Sequence, residues 1–278
     1  MRDLDLVKLH GHGNDFLVVL GEDEAFAESG PAIARQVCAR HTGVGADGLI
    51  LGARRGEDKL SFRLWNADGS EAETSGNGLR CLGHAALDAG WISEGSPITV
   101  ETPAGLRDLT VRRSAAPAEV WGEVGMGPVK VRHSGGHDHP DDVPCNVAQG
   151  QLLVDVGNPH LVVLGPDPAG VDVAHLGPLL EASEPDRLNV EFVALGPGRD
   201  TLTMRVWERG VGETRSCGSG ACAAAAAMRH WRRVGRAVTV VQPGGTVAVE
   251  LRDDGTAALA GPSVRVAECR VRVELPGA

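Results

Sequence analysis

One short pattern occurs twice and constrains this chain more than anything else in it: EAETSGNGLRC from Glu71 and ETRSCGSGAC from Glu213. In both, three residues separate the Glu from a small nucleophile, and Gly-Asn-Gly or Gly-Ser-Gly follows. The nucleophile is Ser75 in the first copy and Cys217 in the second. The two positions lie 142 apart (217 − 75), about half of the 278 residues. A helical stretch rich in Ala follows each copy, GLRCLGHAALDAG from Gly78 and GACAAAAAMRHWRRVG from Gly220. A helix with small or apolar residues on every side is one that other elements approach closely. The expectation is two similar halves, each folded around a central helix of its own.

The remaining sequence supplies the wrapping. Short Val/Leu-rich runs bounded by Gly, Pro, Asp or Asn read as strands: DLVKLHG, DFLVVLG, DGLILGA, LSFRLWNAD, ITVET, LTVRR and EVWGEVGM, then QLLVDVG, HLVVLG, NVEFVAL, LTMRVWE, the pair flanking PGG at 243 to 245, and SVRVAECRVRVEL. The PGG between alternating runs reads as a hairpin turn. Two further helices are expected from Pro31 and from Val171. Many strands with few helices give an α+β fold: two pseudo-symmetric halves, each a mixed β-sheet or barrel around a central helix, with the active site in the cleft between them. The expected boundaries are 1–118 plus 264–278 for one half and 119–263 for the other. The stretch RHSGGHDHPDDVPCN, 132 to 146, lacks periodicity and reads as a loop.

A net charge of −10 and a pI near 5.5 argue against a nucleic-acid partner, whose phosphates demand Lys and Arg. No apolar run approaches the roughly 20 residues that span a bilayer, and the first residues lack the apolar core of a signal peptide, so a cytoplasmic protein without a membrane partner is expected. The six cysteines, Cys38, Cys81, Cys145, Cys217, Cys222 and Cys269, form no CxxC pairs and no disulfide framework. Most read as inert buried thiols. HDHPDD at 137 to 142 has metal-ligand residue types, but contiguous His and Asp in such a loop read as solvated, and no metal is expected.

The first turn of a helix presents unpartnered N–H groups and the positive end of the peptide dipoles. Glycines let a ligand approach them, so each copy of the loop is a ready carboxylate holder. A cysteine there is expected to have its thiolate favoured, placing Cys217 as a base or nucleophile near neutral pH. Two such loops facing one small anion suit inversion at a carbon beside a carboxylate: one group removes the α-proton, the amides take up the charge, and a group on the opposite face returns a proton. Other groups draw attention. HGHGNDF at 10 to 16 is no dinucleotide fingerprint, because Phe16 stands where the third Gly belongs; Asn14 and Asp15 read as turn formers. In GNPH, Asn158 can offer its amide to a ligand and His160 can tune a thiol, or serve structure alone. Glu208 can hold an ammonium and Arg209 a carboxylate, together suiting an amino acid.

With HGHGNDF, NADGSEAETSGNGLRC, VGNPHLV, LGPLLE, RLNVEF and VWERGVGETRSCGSGAC in this order, the chain resembles the diaminopimelate epimerase family over nearly its whole length. The resemblance implies cofactor-independent conversion of LL-2,6-diaminopimelate to the meso form, a step of lysine and peptidoglycan-precursor synthesis, by a cytoplasmic homodimer. It implies Cys217 as a catalytic thiol and Asn14, Asn66, Asn158 and Asn189 as substrate-binding asparagines. By the same match Gly76 with Asn77 and Gly218 with Ser219 hold the reacting carboxylate, Glu208 and Arg209 contact the ligand, and His160 and Glu208 tune the thiols. Gly48 stands where some members carry a binding Gln. Ser75 stands where the family has its other catalytic cysteine, and a hydroxyl is a far weaker acid than a thiol. Three accounts of Ser75 stay open: a substitution that traps substrate, a natural second acid/base working with water, and a shifted reaction. Two other readings accompany them, a related racemase or dehydratase using one thiol, and a non-catalytic amino-acid-binding variant.

Overall fold

A computed structural model describes residues 1–21, 24–73, 75–132, 149–183 and 188–274. Apart from Arg132, the loop expected at 132 to 146 lies outside the described residues, and with it HDHPDD and Cys145. The chain forms two compact units, Met1–Val124 with Gly261–Ala278, and Gly125–Ala260.

The first unit runs β1 (Arg2–Gly11), β2 (Asn14–Leu20), α1 (Glu24–Val37), β3 (Gly48–Arg54), β4 (Lys59–Asn66), β5 (Glu71–Ala72), α2 (Gly76–Asp88), β6 (Ile98–Thr102), β7 (Gly105–Arg113) and the start of β8 (Glu119–Pro128), which passes into the second at Gly125. The second runs β9 (Lys130–Arg132), β10 (Gly150–Asp155), β11 (Pro159–Leu164), α3 (Val173–Glu181), β12 (Asn189–Leu195), β13 (Thr201–Glu208), β14 (Gly212–Thr214), α4 (Gly218–His230), β15 (Ala237–Gln242), β16 (Gly245–Leu251) and the start of β17 (Thr256–Val273), whose second part belongs to the first unit. Pairings repeat one for one. Antiparallel β1–β2, parallel β2–β3, antiparallel β3–β4 and β4–β5, parallel β4–β6 and antiparallel β6–β7 match β10–β11, β11–β12, β12–β13, β13–β14, β13–β15 and β15–β16 in the same senses. In the first unit β17 pairs with both β1 and β8, so the sheet closes into a barrel. This is the α+β, helix-cored pair of halves the repeat implied.

The cores follow from composition. In α2 every residue from Gly76 to Leu87 is buried, and α4 is buried from Gly220 to Met228. Small Ala and Gly side chains allow such a helix to sit inside a ring of strands. The outer helices carry one apolar face each. Phe26, Ile33, Ala34 and Val37 of α1 pack on Leu17, Leu49, Leu51 and Trp65, and Val173, Leu176 and Leu180 of α3 pack on Leu161, Val163, Val190 and Phe192.

Duplication reaches individual side chains. Gly30 of α1 lies over Trp65, where an added Cβ would come within 2.3 Å of the indole, and Gly177 of α3 lies over Trp207, where it would come within 2.5 Å. Arg63 binds Glu71 at 2.8 Å and Arg205 binds Glu213 at 2.7 Å. Arg63 also corrects the expected start of α1. The helix begins at Glu24 and carries Pro31 inside it; a proline offers no N–H to the carbonyl four residues back, and Arg63 Nη1 donates to that carbonyl, of Ala27, at 3.4 Å. Two other differences concern turns and length. The β1–β2 turn is His12–Gly13, both at positive φ, and Asn14 and Asp15 belong to β2 rather than to the turn. β17 begins at Thr256, seven positions ahead of the expected start at Ser263, because its pairing with β16 extends it. The PGG turn is present, with Gln242 paired to Gly245.

Candidate active site

Cys217 has extended backbone angles (φ −127°, ψ 119°) and caps α4: Sγ accepts the Gly220 N–H at 3.4 Å and lies 3.5 Å from Ser219 Oγ. Its own N–H donates to Gln242 Oε1 at 2.8 Å. Strand β13 ends at Glu208, which accepts a hydrogen bond from the Thr214 hydroxyl and whose carboxyl lies near the Cys217 thiol. Beneath the helix start lies Glu191 of β12, so close that a Cβ on Gly220 would fall 2.6 Å from Glu191 Oε1. Glu191 and His160 are both fully buried and hydrogen-bonded through His160 Nδ1 at 2.7 Å, while His160 Nε2 faces Asn158 Oδ1 at 3.0 Å. Asn189 is fixed from two sides: its amide donates to Pro159 O at 3.1 Å, and its Oδ1 accepts the Arg209 N–H at 3.0 Å. The second unit thus gathers Asn158, His160, Asn189, Glu208, Arg209, Cys217, Gly218 and Ser219 around one helix start.

The electrostatics correct one expectation. Burial pushes the Cys217 thiol well above its ordinary value, and the carboxylates of Glu208 and Glu191 push it further, against the hydrogen bonds from Ser219 and Gly220. The helix N-terminus favours a thiolate, but burial and two nearby carboxylates outweigh the hydrogen bonds from Ser219 and Gly220 that support it. At neutral pH the group is a thiol, a proton donor at rest. Burial likewise raises the Glu208 carboxyl, with Glu191 adding to it, while Thr214, Cys217 and His160 pull it back. His160 meets Glu191, which lies against the helix start that Cys217 caps.

The first unit builds the same cap with oxygen. Ser75 is extended (φ −151°, ψ 119°), and its hydroxyl accepts the Gly78 N–H at 3.0 Å. Gly76 and buried Asn77 open α2. Asn77 Nδ2 donates to Asn14 Oδ1 at 3.2 Å, and Asn14 Nδ2 donates to Asp47 Oδ2 at 2.8 Å. Asn66, exposed at the end of β4, donates to Ser70 Oγ at 3.0 Å and pairs across the sheet with Gly48. A Cβ at Gly48 would meet Leu64 Cδ1 at 2.8 Å and Trp65 O at 2.9 Å, so a glutamine there would require β4 to move.

Glu191 and Gln242 escaped the sequence reading. Glu191 is a lone acid in the otherwise apolar run VEFVAL, a signal in itself, because a carboxylate inside a buried strand needs a partner. Gln242 carried no signal, since only folding brings it to Cys217. Cys38, Cys81 and Cys222 are free and buried. Among the described residues no three His, Cys, Asp or Glu side chains converge to hold a metal ion, and no helix is long and apolar enough to cross a membrane.

Fold and site define the class: a duplicated α+β chain in which each half closes strands around a helix capped by a small nucleophile. The fold is similar to that of a phenazine biosynthesis protein of the PhzF family from Bacillus anthracis (TM-score 0.77, 16% identity, covering 98% of this chain and 100% of that one). It is also similar to that of a hydroxyproline epimerase from Agrobacterium vitis (TM-score 0.65, 18% identity, 99% and 94%). The chain belongs to the diaminopimelate epimerase family, whose model matches residues 6–131 and 152–266. It is 38% identical over 274 residues to the diaminopimelate epimerase of Moorella thermoacetica, covering 95% of this chain and 97% of that one.

Proposed function

We propose that this protein is a cofactor-independent epimerase acting on LL-2,6-diaminopimelate at the α-carbon, giving the meso form in lysine and peptidoglycan-precursor synthesis. The observation that carries the reading is the Cys217 cap: a buried thiol at a helix start, beside the half-buried carboxyl of Glu208, inside a chain of this family. As donor, Cys217 gives its proton to the carbanion, forming C–H and leaving a thiolate. As acceptor, it first gives up its thiol proton to water, and the resulting thiolate takes the α-proton onto sulfur. Acceptance requires relief from Glu208 and Glu191, and a substrate ammonium held by Glu208 supplies that relief by neutralising the nearest negative charge. Each helix start, Gly218 with Ser219 and Gly76 with Asn77, offers N–H groups of the kind that suit a carboxylate taking up charge as the α-proton leaves. Ser75, at the family's second cysteine, is by the resemblance the other acid/base, relaying a proton to or from water, slowly, because the alkoxide is scarce near neutral pH. A cytoplasmic homodimer belongs to this reading through the resemblance. Family membership favours it over single-thiol dehydration and over mere binding.

Incubation with LL-diaminopimelate in deuterated water tests it. Deuterium is expected at the α-carbon, with exchange on the Cys217 face outrunning conversion to the meso form. The absence of both exchange and binding would dismiss site and substrate together, while water loss from hydroxyproline would favour the dehydratase.

A further inference from the structure

The first unit holds a buried group that the reading above leaves without a task. Arg80, in the second turn of α2, is wholly inaccessible to solvent. Three glycines on three strands make room for it: an added Cβ would lie 3.0 Å from its Nη2 at Gly11 of β1, 2.9 Å from its Cγ at Gly122 of β8, and 2.6 Å from its Nη1 at Gly261 of β17. Burying a guanidinium is costly, and a channel built for one side chain fixes where its fork points. Arg80 Nη2 donates to Asn77 Oδ1, one turn back along the helix. Asn77 Nδ2 then donates to Asn14 Oδ1 at 3.2 Å, and Asn14 Nδ2 to Asp47 Oδ2 at 2.8 Å. Each amide in this line uses its oxygen on one side and its nitrogen on the other, so neither can flip. The second unit has nothing similar at this point, for Cys222 occupies the corresponding place in α4.

The clamp matters because of where Asn77 sits. A loose Asn side chain in the first turn competes for nearby backbone N–H groups, as Asn does in caps and Asx-turns. Those N–H groups are the ones a carboxylate needs.

We propose that Arg80 is a positioning residue for carboxylate recognition: by holding the Asn77 oxygen, with Asn14 holding its nitrogen, it keeps the helix start beside Ser75 open for the substrate. The identity of the carboxylate, diaminopimelate, rests on the functional reading above.

Arg80→Met, Arg80→Lys and Gly122→Ala test this, with calorimetric binding of meso-diaminopimelate and the NMR signals of the Asn77 side-chain amide as readouts. Arg80→Met is expected to weaken binding by about 10- to 100-fold, the loss of a charge-assisted hydrogen bond, and to raise KM for α-exchange more than it lowers kcat. Arg80→Lys, keeping a donor, is expected to recover part of the affinity. In an Asn77→Ala background Arg80→Met should add nothing, because nothing remains to be held. Should Arg80→Met not fold, Gly122→Ala takes its place, pressing on Arg80 Cγ while leaving the charge, and it too should weaken binding and shift the amide signals. A folded Arg80→Met that binds within about twofold of the parent, or losses that add in the double variant, would overturn the proposal. If the parent protein does not bind diaminopimelate, the functional reading falls and the Asn77 amide decides: displaced signals in Arg80→Met uphold the clamp, and unchanged signals end it.

Discussion

At position 75 an oxygen occupies the geometry that sulfur occupies at 217. Each accepts the N–H three residues on, Ser75 from Gly78 at 3.0 Å and Cys217 from Gly220 at 3.4 Å. The backbone is therefore indifferent to the choice; the chemistry is not, since serine is the better cap and cysteine much the better acid. Restoring the thiol by Ser75→Cys is expected to raise epimerisation by about 10²- to 10⁴-fold, the range of one general acid/base, measured as meso product formed from LL-diaminopimelate. An unchanged rate would show that the second proton passes through another group. Residue identity was readable at both caps because the motif is local. The protonation state of Cys217 was not, because Glu191 and Glu208 come to the thiol from two strands.

Among the elements, the helices were legible from their small or periodic residues, with α2, α3 and α4 starting at Gly76, Val173 and Gly218, each two residues from the expected Gly78, Val171 and Gly220. The start of α1 was not legible, because the cost of Pro31 is offset by an arginine on β4, a contact sequence spacing cannot reveal. The same sheet positions explain why Gly30 and Gly177 are glycines: each outer helix lies with its backbone against a tryptophan face. Gly30→Ala and Gly177→Ala are each expected to destabilise the protein by about 1–3 kcal/mol, the usual cost of overpacking, read as a lower urea midpoint with unchanged slope. A loss below about 0.5 kcal/mol, ordinary for surface changes, would mean that the indoles shift freely and the close fit carries no weight.

For the molecule as a whole, burial of thiols makes stability depend on alkaline pH. Burial pushes Cys38 up to about 12 and Cys81 up to about 11 from an ordinary value of 9.0, and raises Cys217 as well. Below pH 9 folded and unfolded chains hold these protons equally. Above it the unfolded chain releases them first, so stability falls as pH rises through 9 towards 11 and 12, by about 1.4 kcal/mol per pH unit for each thiol. Urea midpoints at pH 8 and 10.5 should show the drop, and Cys81→Ala should lessen its slope; a flat profile would mean that these thiols ionise as readily folded as unfolded. The order of strands and the two-fold repetition were open to reading from the chain, because alternation, glycine turns and a doubled motif are properties of neighbours in sequence. So were the two cap residues and the family they point to. Folding alone settled the charge on Cys217, the partners of Glu191 and Gln242, and the glycine-lined channel around Arg80, because electrostatic and steric effects depend on distance in space, and these groups come together only when separate strands pair.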